Sequence, residues 1–325
     1  MIAREPRAIG GYFELELPRV EAPLHGDALR FQSSRAAFLA LLRAKRPAAV
    51  WMPWYICDAM IEPLRMTGTP VKRYRLDADL RVQSADIGDD EWLLYVNYFD
   101  LCARQVDDVL SRFPRERVLI DNAQAFFAQP ADCLATLYSP RKFLGVPDGG
   151  YLVTRQPIDM PEAIDDASLL RCGHLLTRLA KDAEAGYAGY AAAEEGLKYQ
   201  EPLQMSRLTE RLLASIDYAD VRARRIENFA FLHEKLQRYN RFTFRHDEHA
   251  VPLCYPFFDA PTGARETLRA QRIYTPTYWP DVADAEGAPD FERNLPASTL
   301  CLPCDQRLTR DDLAPMVQHL LDRLA

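Results

Sequence analysis

The sequence lacks any apolar stretch long enough to cross a membrane. No hydrophobic run in the 325 residues approaches the ~20 residues that a membrane-spanning helix needs. Residues 1–6 carry charge and proline, where a secretory signal peptide has an apolar segment. We therefore expect a cytoplasmic protein without a membrane partner.

An excess of basic residues is also lacking. The chain has 40 Lys and Arg against 47 Asp and Glu, a net charge of −7. Its densest basic group, Arg222-Ala-Arg224-Arg225, is typical of a solvated helix face. A nucleic-acid-binding protein needs a basic face, so we expect no nucleic-acid partner.

The seven cysteines are scattered and odd in number, which favours buried thiols over a disulfide framework. Cys301-Leu-Pro-Cys304 has no second cysteine pair and no nearby histidine. We therefore predict a structural role for this pair and no metal site.

Apolar strands alternate with helices from about residue 31 to 155. Ser33 and Ser34 supply an N-cap before a helical pattern that includes Phe38, Leu41 and Leu42. The predicted strands, at 48–52, 71–74, 92–96, 117–120, 133–137 and 150–154, are mostly apolar on both faces. This pattern predicts an α/β fold with a mostly parallel central sheet covered by helices.

The flanking regions complete the predicted organisation. Alternating residues predict an N-terminal strand at 10–17, and the chain from about 161 to 240 is helical. Further strands are predicted at 242–244, 251–255, 273–275 and 299–302, followed by a closing helix at 310–324. We predict a large α/β domain at 1–200, connecting helices at 201–240 and a smaller α+β domain at 241–325.

Polar residues follow several of the predicted strands. Asp121 and Gln124 come after the strand that ends at Ile120, and Lys142 comes after the strand that ends at Leu137. In open parallel sheets, ligands bind beyond the carboxyl ends of the strands. Taken singly, Asp121 is typical of a helix cap or a buried structural aspartate, and Lys142 of a solvated loop.

Together these side chains indicate a specific chemistry. A lysine amine can form an imine with the aldehyde of pyridoxal 5'-phosphate (PLP). An aspartate such as Asp121 can keep the pyridine nitrogen protonated, and Gln124 can hydrogen-bond the phenolic oxygen. The helix that begins at Ser33 and Ser34 offers free N–H groups and a positive end to a phosphate.

Several segments resemble one enzyme family. Ile120-Asp-Asn-Ala-Gln-Ala-Phe126 resembles the E-D-A-A-Q-A-H motif of the DegT/DnrJ/StrS sugar aminotransferases, which are PLP enzymes of fold type I. Lys142-Phe-Leu-Gly-Val-Pro-Asp-Gly-Gly150 is similar to their K-N-L-T-T-G-E-G-G, with Asp148 in place of the glutamate. Shorter similarities occur at 31–38, 273–280 and 300–312, and all of these segments appear in the same order as in the family.

The resemblance implies a role for each matching residue. Lys142 would form the internal aldimine and move the proton during transamination, Asp121 would pair with the pyridine nitrogen, and Gln124 would contact the ring oxygen. Ser33, Ser34 and the backbone of Arg35 would hold the phosphate. The resemblance also implies a homodimer, a keto sugar substrate that is nucleotide-linked, and glutamate as the amino donor.

The sequence departs from the family at the phosphate. The family's phosphate-binding serine is replaced by Leu137, so that Ser139 or Thr136 would have to substitute. Arg35 is either a phosphate ligand or a surface residue. The family's asparagine from a neighbouring subunit is missing from segment 202–206.

The ring-stacking position also differs, because Cys57 stands where the family has an aromatic residue, and Tyr55 or Trp54 would stack instead. Two hypotheses therefore remain. The chain is a PLP-dependent sugar aminotransferase that keeps Lys142 and Asp121. Alternatively, it is a divergent fold-type-I protein with altered or lost catalysis and a binding or regulatory role.

Overall fold

A seven-stranded mixed sheet forms the centre of the computed structural model, which describes residues 9–19, 24–242, 247 and 249–324. Its strands are β1 (Leu29–Phe31), β2 (Ala49–Pro53), β3 (Val71–Tyr74), β4 (Glu91–Val96), β5 (Val118–Asn122), β6 (Ala135–Tyr138) and β7 (Gly150–Thr154). They lie in the order β1-β7-β6-β5-β4-β2-β3. Strands β2 to β6 are parallel, and β7 pairs antiparallel with β6 and β1. The predicted mostly parallel sheet is confirmed.

Helices surround this sheet and a smaller one. The helices are α1 (Ser34–Lys45), α2 (Asp58–Thr67), α3 (Ala103–Arg112), α4 (Ser168–Arg171), α5 (Gly173–Ala180), α6 (Ala183–Glu195), α7 (Arg207–Leu213), α8 (Tyr218–Leu236), α9 (Ala264–Ala270), α10 (Asp290–Ser298) and α11 (Arg310–Leu324). The small antiparallel sheet pairs β8 (Tyr255–Phe257) with β9 (Leu300–Leu302). Within the described residues, none of the helices combines the length and apolarity that a membrane crossing requires.

The central strands are buried on both faces. Leu93, Leu94 and Tyr95 are consecutive in β4, point alternately to opposite faces, and are all fully buried. A separate apolar core lies between the small sheet and helices α8, α9 and α11. The parallel strands therefore end in a rigid edge, which fixes the polar residues that follow them.

The cysteine pair lies in the small sheet and just after it. Cys301 is part of β9, Cys304 follows it, and both are buried free thiols.

The outer elements differ from the sequence prediction. The predicted strand at 10–17 is wrong, because these residues are irregular and Tyr12 and Phe13 are almost fully exposed. The sheet edge is formed instead by β1, whose three residues are too few to show a period-2 pattern. The segment 273–275 is also not a strand, and residues 243–244 of the strand predicted at 242–244 lie outside the described residues.

Candidate active site

Two neighbouring strands, β5 and β6, bring Asp121 and Lys142 to one edge of the sheet. Asp121 of β5 is in register with Val96 of β4 and with Leu137 of β6. Lys142 closes a short 3-10 turn, Pro140–Lys142, just beyond the end of β6. Asp121 and Lys142 therefore lie at the carboxyl edge, where open parallel sheets bind their ligands.

The Asp121 carboxyl group is buried and lies within electrostatic reach of Lys142. Its side chain is 4% exposed, and Oδ1 accepts a hydrogen bond from the Ala123 backbone N–H at 2.8 Å. Burial raises the pKa of Asp121, while the Ala123 hydrogen bond and the positive charge of Lys142 oppose that rise. A cationic group beside this carboxyl would stabilise its ionised form.

Gln124 presents an unused donor at the same edge. Its side chain is 1% exposed, and Oε1 accepts a hydrogen bond from the Phe99 N–H at 3.0 Å. This bond fixes the orientation of the amide, and Nε2 is buried with no hydrogen-bond partner among the residues that the structure describes. A buried unsatisfied donor costs about 1–3 kcal/mol, so the site fits a ligand that supplies an acceptor here.

The loop after β4, whose Phe99 N–H donates to Gln124, has a strained backbone. Phe99 and Asp100 are consecutive non-glycine residues with φ of 60° and 61°. Such left-handed backbone is unfavourable for most side chains and is concentrated at functional sites.

The Lys142 amine lies against two aromatic rings. Its Nζ is 5.4 Å from the ring centroid of Tyr278 and 6.0 Å from that of Trp279, within the range of cation–π attraction. Tyr55 packs edge-on against Trp279 at 4.4 Å between ring centroids. No spacing in the sequence predicts this contact, because the segment 273–280 is far from Lys142 along the chain.

Helix α6 also lies close to the lysine turn. Arg141, directly before Lys142, forms an ion pair with Glu194 of α6. Tyr190, one turn earlier on α6, interacts electrostatically with Glu194, Arg141 and Cys57. Neither residue belongs to a motif named above.

The predicted phosphate end is already partnered. Ser33 caps α1, its Oγ accepting from the Ala36 N–H at 3.2 Å, and Ser34 Oγ donates to the Tyr138 carbonyl at 2.5 Å. Arg35 is not a surface residue: its side chain is 13% exposed and pairs with Glu62 at 3.0 Å. The phosphate-binding roles proposed for these side chains stay predictions.

The two residues proposed to replace the missing serine differ in their surroundings. Thr136 Oγ1 accepts from the Ala131 N–H at 3.2 Å and is fully buried in β6. Ser139 is 9% exposed and makes no capping hydrogen bond to the turn that follows it. Ser139 is thus the more available hydroxyl.

The Gly-Gly pair after Lys142 allows a close backbone approach. A Cβ at Gly150 would lie 2.1 Å from the carbonyl carbon of Ser33 and 2.2 Å from the Ser34 nitrogen. Gly149 has φ of +125° and donates its N–H to the Gln32 carbonyl at 2.7 Å. The glycines therefore seat β7 directly against the start of α1.

Asp148, before these glycines, is a structural acceptor. Its carboxylate is fully buried and accepts from the Ser206 N–H at 2.8 Å and the Ser206 hydroxyl at 2.7 Å. The hydroxyls of Ser168 and Thr209 also donate to it. Asp148 thus anchors α4 and α7 to the turn.

Comparisons with known proteins identify the fold. No family model matches the sequence, and no curated protein is detectably similar to it. A sugar aminotransferase from Micromonospora echinospora superimposes with a TM-score of 0.64 and 16% identity, covering 91% of this chain and 87% of that one. A DegT/DnrJ/EryC1/StrS aminotransferase from Brucella abortus superimposes with a TM-score of 0.61 and 15% identity. That comparison covers 91% of this chain and 85% of the other.

A third neighbour is the Helicobacter pylori aminotransferase involved in the biosynthesis of pseudoaminic acid. It superimposes with a TM-score of 0.61 and 14% identity, covering 91% of this chain and 86% of that one. At these identities the likeness shows the fold: the chain has the fold-type-I aminotransferase-like architecture that its sequence predicted.

Proposed function

We propose that the chain is a PLP-dependent aminotransferase that delivers an amino group to a keto sugar through Lys142. The observation that carries this proposal is the shared position of Asp121 and Lys142 at the carboxyl edge of the sheet, within electrostatic reach of each other. The Nε2 of Gln124, which has no partner within the described part of the chain, adds a donor suited to the phenolic oxygen of PLP.

The ring end of the site fits PLP. When bound, the cofactor supplies an electron sink for the substrate Cα. Asp121 would face the pyridine nitrogen and keep it protonated, and Gln124 would donate to the ring oxygen. The Lys142 amine would hold and move the substrate proton, while Tyr278 and Trp279 would shield that amine from water.

The phosphate end fits less completely. The 12-residue helix α1 offers N-terminal N–H groups and the positive end of its dipole. However, Arg35 is paired with Glu62, Ser34 donates to a carbonyl and Leu137 is a buried side chain of β6. This difference favours, as second candidate, a divergent protein with altered or lost catalysis.

The substrate class comes from the structural neighbours. Two of those described above are named as a sugar aminotransferase and as an enzyme of pseudoaminic acid biosynthesis. Another, from Streptococcus pneumoniae, has been solved in a PLP form and a PMP form. By analogy with these names we propose a keto sugar as acceptor. The family resemblance of the sequence adds the nucleotide link and glutamate as amino donor.

The test is an absorbance spectrum of the purified protein with and without PLP. We expect a visible band with PLP, and borohydride reduction followed by mass spectrometry should place the fixed cofactor on Lys142. Lys142→Ala should abolish both signals, whereas the control Lys181→Ala, which changes an exposed lysine, should retain them. The absence of a band in wild type would refute the enzyme proposal, and a band without amino transfer would favour altered catalysis.

A homodimer is part of the same proposal. Six large apolar side chains on α4, α5 and α6 are between 47% and 89% exposed. They are Leu169, Leu170, Leu176, Leu179, Tyr187 and Tyr190. Since exposed apolar groups of this size mark interaction sites and α6 adjoins the lysine turn, we propose that a second copy covers them.

Light scattering on the eluting protein should give twice the 37.1 kDa chain mass, and a monomer would contradict this.

The predicted division at residues 200 and 240 stays a proposal, supported by the separate apolar core around the small sheet. The cytoplasmic location likewise stays a prediction.

A further inference from the structure

Arg225 of α8 is a buried cation that the proposed chemistry does not use. The sequence placed it on a solvated helix face; that interpretation is wrong, because the side chain is 2% exposed. Within the described residues all its hydrogen bonds go to neutral oxygens: Nε donates to Gln306 Oε1 at 2.9 Å, and Nη1 to the Pro252 and Leu253 carbonyls at 3.1 Å each. Burial lowers its pKa. Burying a cation in this way is costly, which suggests a role beyond packing.

The guanidinium and Gln306 together hold the residue that follows Lys142. The Phe143 carbonyl accepts from Gln306 Nε2 at 2.9 Å and from Arg225 Nη2 at 3.4 Å. The Arg225 guanidinium also lies 4.6 Å from the centroid of the Phe143 ring. Two donors and a cation–π contact therefore fix the end of the lysine turn.

The same guanidinium is connected to Gln124 on the other side of the site. Leu253, whose carbonyl accepts from Arg225, donates its N–H to the Phe99 carbonyl at 3.1 Å. Phe99 in turn donates its N–H to Gln124 Oε1 at 3.0 Å. One chain of hydrogen bonds thus runs from the Lys142 turn to the Gln124 amide.

We infer that Arg225 is a positioning residue that sets the Lys142 amine relative to Gln124, with Gln306 as its partner. This inference rests on the proposed function, in which Lys142 and Gln124 contact the same cofactor ring. The guanidinium suits the task because its planar donors can reach several carbonyls at once.

The experiment uses Gln306→Ala and Arg225→Lys, with Arg224→Lys as the matched control. Arg224 neighbours Arg225 on α8, but its guanidinium is exposed and pairs with Asp220. In the protein without PLP, trace acetylation followed by mass spectrometry gives the labelling rate of Lys142 relative to that of the exposed Lys181.

Loss of one hydrogen bond at the turn should raise this ratio about threefold to tenfold in both test variants, and Arg224→Lys should leave it unchanged. A ratio equal to wild type in Gln306→Ala would overturn the inference, even if the melting temperature falls, because that is the result of a purely structural role. If Arg225→Lys does not fold, Gln306→Ala alone decides.

The PLP titration then separates the two proposals. We expect Gln306→Ala to need about threefold to tenfold more PLP for half of the visible band. If wild type binds no PLP, the proposed function fails while the labelling ratio still tests the positioning role.

Discussion

Asp100 should make the protein less stable as the pH rises. The carboxyl lies in the strained loop after β4, is 5% exposed, and accepts the Val251 N–H through Oδ2 at 2.8 Å. Burial raises its pKa from the ordinary 3.8 to about 7, although the Val251 hydrogen bond and the charge of Arg222 oppose the rise.

The raised pKa fixes the sign of the effect. Between about pH 4 and pH 7 the folded state holds a proton on Asp100 that the unfolded chain has released. The free energy of unfolding therefore falls as the pH rises through this window. The difference between the pKa of Asp100 in the folded and the unfolded state corresponds to a stabilisation of about 4 kcal/mol. This stabilisation is lost in full above about pH 8.

The variant Asp100→Asn should remove this contribution. Asparagine is neutral, keeps an oxygen for the Val251 N–H, and tolerates the left-handed backbone at φ 61°. We expect the variant to match wild type near pH 4 and to exceed its stability by up to roughly 4 kcal/mol near pH 8, measured by urea denaturation at both pH values. Glu292, whose burial also raises its pKa to about 7, should leave some pH dependence in both proteins.

The control is Asp107→Asn, which changes an exposed carboxyl on α3 and should behave as wild type at both pH values. If Asp100→Asn kept the full pH dependence of wild type, or were less stable near pH 8, the folded protein would hold Asp100 as a stabilised anion and the reasoning would be wrong.

Three further predictions concern the turn and the phosphate end. Gly150→Ala would place a Cβ 2.1 Å from the Ser33 carbonyl carbon. It should lower the free energy of unfolding in urea by more than about 3 kcal/mol. The control Gly173→Ala, at an open position, should change this free energy little. Asp148→Ala leaves buried donors without their acceptor and should cost about 3 kcal/mol; an unchanged urea midpoint would contradict the network. Glu62→Gln removes the carboxylate that pairs with Arg35. Because the positive charge of Arg35 is then no longer neutralised, PLP binding in a titration should tighten about fivefold. Weaker binding would show that the ion pair supports the site.

The sequence predicted the elements whose signal is local. The double-sided apolar pattern of residues 92–96 gave a parallel strand, and the serine before Phe38 gave the cap of α1; β4 and Ser33 confirm both. The common edge of Asp121 and Lys142 followed from the rule that parallel strands end together.

Contacts between distant segments could not be predicted in this way. The helical region predicted at 161–240 contains a break between α7 and α8, yet residues 214–217 include no glycine or proline that would mark it. Arg225 looked solvated because its neighbours are charged, and only its contacts with Phe143 and Leu253 show why it is buried. Tyr278 lies against Lys142 through tertiary packing, for which no spacing rule exists.

The two ends of the candidate site place different demands on the chain. In the proposed function, electron withdrawal would depend on the ring end, where the backbone positions Asp121, Gln124 and Lys142 at the carboxyl edge of the sheet. Retention of PLP would depend on the phosphate end, where the Arg35 charge is already neutralised by Glu62. Because a ligand stabilises the folded state in proportion to the logarithm of its concentration over its Kd, weak phosphate contacts should make PLP binding reversible without changing the chemistry at the ring. The melting temperature should then rise with PLP concentration instead of being fixed by a permanently bound cofactor, and a cofactor that survives extensive dialysis would contradict this expectation.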